Sequence, residues 1–414
     1  MTGVTPGGTG RRSPRQVVGL LSLVSFLNYP LRTNITIAAA AMMPDLRLSQ
    51  VQMGDIFSAF QLPYALGQIP GGFLGDRYGA RRVITVTVML WAVSSLMTGA
   101  IPAGIGVGAA VLMLGAARGL LGLAQAATYP VGTSVINRFV PAAYRGRAVA
   151  LFLAAAVIGS ILAPVAVSQG MVRIGWRGTF LVAAGLAVLI GLIWHAGAPR
   201  REALPAEHEA LGTTMGRAVR LLRDRRLLAL SLSYACQSSV WFLFVYWFYI
   251  YLTDVRGFSV LSGGFFAVAP YVAAAVMGPL GGTLLDVLSR SRGKVIARRT
   301  TACIGLLGAA VCVLVGARLD NPYLAISALA LSAGLINFVE SPYWTTAAEL
   351  GGAEAGTAGG VLNTIGNLGG VFSTSAVPRM VDAWGWIPSM LVFAGIAAAG
   401  AALWFSFRPE RGPP

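Results

Sequence analysis

The sequence predicts an all-α membrane protein with twelve transmembrane helices arranged as two six-helix pseudo-symmetric halves. Of its 414 residues, 56% are hydrophobic and only 11% are charged, whereas a soluble domain carries about 25% charged residues. A helix that crosses a bilayer needs about 20 mostly apolar residues, and twelve such segments follow one another along the chain. They are residues 17–43, 52–75, 83–101, 106–139, 147–170, 178–196, 227–252, 260–287, 298–316, 321–349, 355–378 and 385–407.

A sizeable polar insert divides these spans into two groups of six. We therefore expect one half over residues 17–196, a cytoplasmic linker over 197–226 and a second half over 227–407, with short polar tails at 1–16 and 408–414. The halves also resemble each other. Residues 48–76 align without gaps to residues 258–286, an offset of 210, and both copies end in Gly-Gly-x-Leu-x-Asp. Parallel repeats of this kind are typical of carriers that bind substrate between their halves, near the bilayer midplane.

The placement of basic residues predicts the orientation. With the amino terminus in the cytoplasm, 23 of the 31 Lys and Arg residues fall in cytoplasmic segments, six in outer loops, and Arg32 and Arg118 inside spans. This distribution satisfies the positive-inside rule, so both termini are expected in the cytoplasm. The net charge of +16 then reflects topology and contact with anionic membrane lipid, and no nucleic-acid partner is expected.

The reactive residue types argue against an enzyme. Three cysteines, Cys236, Cys303 and Cys312, lie inside apolar runs and have neither a disulfide framework nor a metal-binding spacing. The chain has only two histidines. We therefore expect no metal, no cofactor and no covalent chemistry.

The segment "GGFLGDRYGARR" at residues 71–82 is the strongest local motif. Its glycines allow close helix contacts, its acid can reach a helix end and an arginine, and its basic residues can meet phosphates and helix carboxyl ends. The alternative is a plain basic turn. The partial copy in the repeat favours a cytoplasmic gate built from Gly75, Asp76, Arg77, Arg81, Arg82 and Asp286. The segment resembles the signature loop of the major facilitator superfamily, and the resemblance covers essentially the whole chain.

Three further spans resemble the anion:cation symporters of that superfamily, which include bacterial sugar-acid carriers and vesicular glutamate and sialic-acid transporters. The first span, "FLNYPLRTNITIAAAAMMPDL", is similar to the group's Asn-Tyr-x-x-Arg and Arg-x-Asn-Leu/Ile patterns. The fourth contains an Arg-Gly-Leu start and a Tyr-Pro pair, and the eleventh reads "GTAGGVLNTIGNLGGVFS". The resemblance implies an inner-membrane carrier that imports a small organic anion by alternating access, as a monomer.

Two rival functions remain open. The fifth span, "GSILAPVAVSQG", has a weak similarity to an antiporter Gly/Pro motif. This similarity would fit a drug or metabolite exporter of the same superfamily. A non-transporting membrane sensor is the third interpretation. It is disfavoured because the sequence contains no soluble signalling domain.

Arg32 lies about half-way along the first span, where a lone arginine costs roughly 3 kcal/mol on insertion scales. The functional interpretation is a guanidinium that binds a substrate carboxylate in a bidentate pair. The alternative is a structural arginine bonded to backbone carbonyls or to a neighbouring helix. For Arg118, near the start of the fourth span, the two interpretations stand equal.

Amide and aromatic side chains are expected to line the same cavity and to suit a polar or polyhydroxylated acid. Asn363 and Asn367 are four residues apart and so share one helix face. The alternatives are helix packing for the aromatic residues and interhelical hydrogen bonds for the asparagines. The predicted substrate-binding set is Arg32, Tyr29, Asn34, Tyr64, Gln68, Gln125, Tyr129, Tyr343, Trp344, Asn363 and Asn367, with Tyr246 as a further candidate.

Proton coupling is assigned to Glu340. Proton-coupled members of the group carry an aspartate before the first-span arginine and a glutamate in the fourth span, but those positions hold Leu31 and Gln125 here. Aligning the fourth span with the tenth by their Gly-Leu pairs, Gly119-Leu120 and Gly334-Leu335, gives an offset of 215 residues and places Gln125 opposite Glu340. A carboxylate buried among apolar residues is desolvated, which favours its protonated form. A structural hydrogen bond and an uncoupled facilitator are the alternatives.

Overall fold

The computed structural model describes residues 13–199, 216–217 and 219–406, and within these residues the regular elements are all helical. The first half contains α1 (Pro14–Leu46), α2 (Gln50–Tyr78), α3 (Ala80–Gly99), α4 (Val107–Ala126), α5 (Thr128–Phe139) and α6 (Arg145–Gly197). The second half contains α7 (Arg225–Ile250), α8 (Val260–Phe266), α9 (Ala269–Arg292), α10 (Lys294–Arg318), α11 (Pro322–Phe338), α12 (Glu340–Gly351), α13 (Ala355–Trp384) and α14 (Trp386–Leu403). Single π or 3-10 turns lie at Ala142–Tyr144, Tyr251–Val255 and Gly352–Glu354.

In the described part of the chain, eight helical stretches are long and apolar enough to cross a membrane. One of them contains α6, whose 53 residues would measure about 80 Å as one helix, far more than the bilayer core of about 30 Å. Gly175 interrupts α6 with φ 71° and ψ 171°, which makes two spans. Three more helices, α1, α2 and α13, are 33, 29 and 30 residues long but more polar, and they complete the twelve spans of the fold.

The fourth and tenth spans are each broken near the middle, where the sequence predicted continuous segments. The breaks fall at Ala127 and Val339. Each comes three residues before a proline, Pro130 or Pro342. Proline has no N–H to bond the carbonyl four residues earlier, and that carbonyl belongs to the last residue of α4 or α11. The first helix therefore ends there, and the proline falls in the first turn of the next helix.

The two breaks correct the sequence alignment of these spans. They lie 212 residues apart rather than 215. The structural counterpart of Glu340 is therefore Thr128, and Gln125 corresponds to Asn337. The expectation that Gln125 lies opposite Glu340 is wrong by three residues, about one helical turn, because Gly-Leu pairs recur by composition in apolar helices.

Small residues bring α2 against the broken fourth span. A Cβ at Gly71 would lie 2.8 Å from the Cα of Ala127, and Gly75 packs against Val131. In the repeat, Gly281 lies against the backbone of Phe338. Each half therefore contains the same close contact, placed beside its own break.

The halves meet along α2, α7 and α13. We call the end of the bundle at which α1 begins the proximal end, and the end at which α1 finishes the distal end. Near the distal end Asp55 of α2 accepts two hydrogen bonds from Arg379 of α13, at 2.9 and 3.1 Å. One turn deeper, the hydroxyls of Ser58 and Thr374 lie 2.7 Å apart. These contacts hold the halves together on the distal side of the central residues.

Candidate functional site

Arg32 of α1 lies in an aromatic cage at mid-depth. It is only 5% exposed. Its guanidinium carbon is 4.2 Å from the ring centroid of Tyr64 and 5.1 Å from those of Tyr29 and Phe60, distances at which the ring faces attract a cation. The cage orients the guanidinium without neutralising it.

The guanidinium of Arg32 has an unused donor. Its Nε donates to Oε1 of Gln125 at 3.2 Å, whereas its Nη2 is buried without a hydrogen-bond partner. No carboxylate of the described residues forms an ion pair with it. A buried, unpaired charge is strongly unfavourable, so this position favours an incoming anion.

Gln125 positions Arg32. Its Nε2 donates to the backbone carbonyl of Asn28 at 2.9 Å. A carbonyl only accepts hydrogen bonds, so this contact fixes the amide nitrogen toward α1 and leaves Oε1 facing the arginine. The sequence placed Gln125 among the substrate ligands, and the structure shows that both ends of its amide are already bonded within the first half.

Arg118 has more hydrogen-bond acceptors around it than Arg32, and only its Nε is without a partner. It is 1% exposed and donates to the carbonyl of Leu31 at 3.3 Å, to Oδ1 of Asn34 at 3.4 Å and to the hydroxyl of Thr98 at 3.3 Å. These contacts join α4 to α1 and α3. The structure therefore favours the structural interpretation of Arg118, and it places Asn34 beside that arginine, with its amide oxygen engaged.

In the second half, Glu340 accepts hydrogen bonds from three neutral groups. Trp344 Nε1 donates at 2.9 Å, Gln237 Nε2 at 3.1 Å, and the Tyr234 hydroxyl at 3.3 Å. No Lys or Arg of the described residues pairs with it. Sequence reasoning missed Tyr234 and Gln237, although their spacing of three residues places both on one face of α7.

The aromatic candidates occupy different surroundings. Tyr343 is buried, and its hydroxyl lies 2.7 Å from that of Ser233, so it packs within the second half. Trp344 is 41% exposed. Tyr129 packs against Phe152, with ring centroids 5.5 Å apart. Tyr29 belongs to the cage of Arg32, with its ring centroid 5.1 Å from the guanidinium carbon.

Three amides form a directed relay between the halves. Asn367 donates through Nδ2 to the backbone carbonyl of Asn363 at 2.8 Å and to its Oδ1 at 3.2 Å. Asn363 then donates through Nδ2 to Oε1 of Gln68 at 2.5 Å. The backbone carbonyl fixes the direction of the whole chain, because it can only accept. The relay ends at the Nε2 of Gln68, a buried donor without a partner.

Gln61 is a buried residue that the sequence analysis missed. It has no exposed surface, and its Oε1 accepts from the Tyr246 hydroxyl at 3.3 Å. Its spacing from Tyr64 and Gln68, three and seven residues, places all three on one face of α2. A helical-spacing test on polar residues would have found it.

The predicted gate residues do not all reach across the halves. Arg81 donates to the carbonyl of His195 at 2.9 Å, a contact inside the first half, and Arg77 lies 5.5 Å from the Tyr78 ring centroid. Arg82 and Asp286 are exposed. The side chain of Asp76 lies outside the described part of the structure, so its role as a latch stays a prediction. Among the described residues no His, Cys, Asp and Glu side chains cluster as a metal site.

Known proteins resemble this chain over its whole length. The probable galactarate/D-glucarate transporter GudP of Escherichia coli is 30% identical, covering 94% of this chain and 91% of the relative. The probable sulfoacetate transporter SauU of Cupriavidus necator is 26% identical, covering 95% and 93%. A solved bacterial homolog of the human lysosomal transporter Spinster, in an inward-facing and unoccupied conformation, has a TM-score of 0.79 at 19% identity and covers both chains fully.

Twelve spans in two repeated halves, with a buried cation that no carboxylate of the described residues neutralises, define an integral membrane carrier rather than an enzyme. The family model of the Major Facilitator Superfamily matches residues 21–374, and the chain belongs to this family. The fold and the family predicted from the sequence are both confirmed.

Proposed function

We propose that this protein carries a small organic anion of the sugar-acid class across the inner membrane by alternating access, with Arg32 binding the carboxylate. The observation that carries the proposal is the buried Nη2 of Arg32, which has no partner in the described chain. A guanidinium fork matches a carboxylate in a bidentate pair. The names of the relatives, galactarate/D-glucarate and sulfoacetate transporters, support the same substrate class.

The neighbouring groups fit the rest of such a molecule. Tyr29 and Tyr64 flank Arg32. The Nε2 of Gln68, at the end of the amide relay, is a hydrogen-bond donor without a partner. Hydroxyl groups can both donate and accept hydrogen bonds, so a polyhydroxylated acid can use these phenols and amides together. An unneutralised arginine repels a cationic drug, which argues against the exporter interpretation.

Topology is part of the proposal. The excess of basic residues at the proximal end supports a cytoplasmic location for that end and for both chain termini. The Asp55–Arg379 contact then lies on the outer side. The two halves, residues 17–196 and 227–407, rock against each other, and residues 197–226 link them.

Counterflow in liposomes tests the substrate class. Purified protein in vesicles preloaded with D-glucarate should accumulate labelled D-glucarate, and external galactarate, D-galactonate or sulfoacetate should compete according to affinity. Arg32→Ala should abolish accumulation, while Arg292→Gln, which removes an exposed arginine, should preserve it. Accumulation of a labelled cationic drug, with no competition by organic acids, would overturn the proposal.

We also propose that Glu340 carries a coupling proton. Its three bonded partners are neutral, so nothing in the described chain holds it permanently ionised. The fourth span contributes Gln125, which cannot titrate. A carboxyl group bonded only to neutral donors can exchange a proton when its side of the cavity opens to water.

The proton proposal has its own test. Uptake by the wild type should rise with an inward proton gradient, and Glu340→Gln should retain counterflow but lose accumulation driven by the gradient. Asp320→Asn, which changes an exposed loop acid, is the matched control and should behave as the wild type. Gradient-driven accumulation in Glu340→Gln, or wild-type uptake that ignores the gradient, would contradict it.

A further inference from the structure

A long apolar groove lies on the outer face of the first half, away from Arg32. Its cavity volume is about 470 Å³, within the range of sites that hold small-molecule ligands. Residues of α2, α3 and α4 form its walls, among them Gly67, Gly71, Leu74, Val86, Leu90 and Leu123. None of the residues that carry the proposed transport site lines this groove.

The groove is elongated and opens toward the surface that faces lipid. Its α2 wall runs from Gly67 to Tyr78, eleven residues or about 16 Å of helix. Val86 on its rim is 57% exposed, and Leu74 and Leu123 are also exposed. An apolar channel of this length, open sideways along a membrane helix, matches a hydrocarbon chain rather than a compact polar ligand.

One end of the groove is basic. Tyr78 and Arg82 lie there, at the proximal ends of α2 and α3. Arg82 is exposed and forms no hydrogen bond or ion pair with the described residues, and Arg81 and Arg77 lie close in sequence. A guanidinium next to a phenol is well suited to a phosphate group. The charge of this end and the apolar length of the groove together match an anionic amphiphile.

The repeat differs from the first half at the wall of this groove. At the offset of 210 residues, Gly67 corresponds to Met277 of α9. The Met277 side chain packs toward α11, where its Cγ would lie 2.9 Å from a Cβ at Gly334. In the first half the equivalent position has no side chain, and a Cβ at Gly67 would lie 3.0 Å from the Cβ of Ala126 and 3.1 Å from Cδ1 of Leu123. The two helices therefore pack closely at Gly67, and the groove runs along the outside of this contact.

We propose that this groove binds an anionic phospholipid, with one acyl chain along Gly67 and Gly71 and the headgroup phosphate at Arg82. Ala127, at the break of the fourth span, lines the inner wall. The bound acyl chain therefore packs directly behind the point at which α4 ends and α5 begins. The lipid supports the broken span on the side opposite to Gln125.

Native mass spectrometry tests the site. Wild-type protein in mild detergent, given equal amounts of phosphatidylglycerol and phosphatidylcholine with identical acyl chains, should retain one phosphatidylglycerol with at least a tenfold preference. Val86→Trp fills the groove and should reduce retention at least tenfold. Arg82→Gln removes the basic group and should abolish the preference between the two lipids.

Matched controls separate the groove from general membrane contact. Val311→Trp changes a residue of α10 that is 56% exposed, and Arg292→Gln removes the repeat counterpart of Arg82; both should bind lipid as the wild type does. A thermal unfolding midpoint within a few degrees of wild type shows that each variant is folded. Undiminished retention in Val86→Trp, equal retention of the two lipids by wild type, or equal losses in the controls would overturn the proposal.

Discussion

Arg32 and Arg118 are two arginines buried in the same half, and their surroundings differ in one decisive respect. Arg118 donates to acceptors on α1 and α3, whereas Arg32 has one amide acceptor and an otherwise aromatic cage. Burial alone does not distinguish them, since both are at most 5% exposed. The number of acceptors does: Arg118 donates to three acceptors on two other helices and leaves only Nε without a partner, whereas Arg32 donates to one acceptor and leaves Nη2 available to a ligand.

The largest expected effect is that of Arg32→Ala on anion binding. A bidentate carboxylate pair contains two charge-assisted hydrogen bonds, each contributing about 1.5–3 kcal/mol, so affinity should fall at least about 100-fold. Arg32→Lys keeps the charge but loses the planar fork, so its affinity for the anion should lie between those of the wild type and Arg32→Ala. Calorimetric titration with the acid that the counterflow assay identifies measures both. Wild-type affinity in a folded Arg32→Ala protein would remove Arg32 from the site.

Arg118→Met should affect stability rather than binding. It leaves the carbonyl of Leu31, Asn34 and Thr98 without their shared donor, at a cost of about 1–3 kcal/mol for each buried unsatisfied group. The thermal unfolding midpoint in detergent should fall by several degrees, while the affinity of the folded fraction for the acid stays near wild type. A normal unfolding midpoint combined with lost binding would mean that Arg118 binds the substrate, as Arg32 is proposed to do.

Gln125→Glu should make Arg32 resemble a paired arginine. The new carboxylate would take the place of Oε1 beside Nε and compete with the substrate anion, so affinity at neutral pH should fall about tenfold. Protonation of the new group at lower pH removes its charge, and affinity should therefore recover as pH decreases from 8 to 5. Binding isotherms across that range test it; an affinity independent of both the substitution and pH would show that the substrate does not use Arg32.

The smallest effect is expected from Asn367→Ala. Asn367 lies at the far end of the amide relay, so its removal frees Asn363 to rotate and weakens the orientation of Gln68. A loss of about threefold to fivefold in affinity, near 1 kcal/mol, should follow for a hydroxylated acid. Asn337→Ala is the control, because the side chain of Asn337 donates to the carbonyl of Ala333 in its own helix and is not part of the relay. Equal losses in both variants would mean that the relay does not orient Gln68.

The fold was predictable because it depends on long apolar runs. The breaks at Ala127 and Val339 were not placed, although Pro130 and Pro342 signal them, because a proline marks a kink without fixing whether the helix ends. Arg32 was predictable from its depth in a span. The role of Arg118 was not predictable, because its acceptors on α1 are 87 and 84 residues away in sequence and its acceptor on α3 is 20 residues away.

Gln61, Tyr234 and Gln237 were missed for a related reason. Gln61 stands among apolar and aromatic residues, whereas Tyr234 and Gln237 lie in a serine-rich stretch. In each case the role of the residue comes from the partner that tertiary packing brings to it. Gln61 meets Tyr246 across the halves, and Gln237 meets Glu340 across two spans of one half. Helical spacing identifies the face on which such a residue lies, but not what covers that face.

The placement of Arg32 in one half and Glu340 in the other has an electrical consequence for the proposed cycle, in which the site charge is the sum of these two groups, the proton and the substrate. With Glu340 ionised, the empty site has no net charge. When a monovalent anion and one proton bind, the site is again neutral, so neither reorientation moves site charge through a field of about 2.3 kcal/mol per charge per 100 mV. A divalent acid taken with one proton leaves one negative charge on the loaded form. The valence of the acid therefore decides whether an interior-negative voltage opposes import or leaves it unaffected.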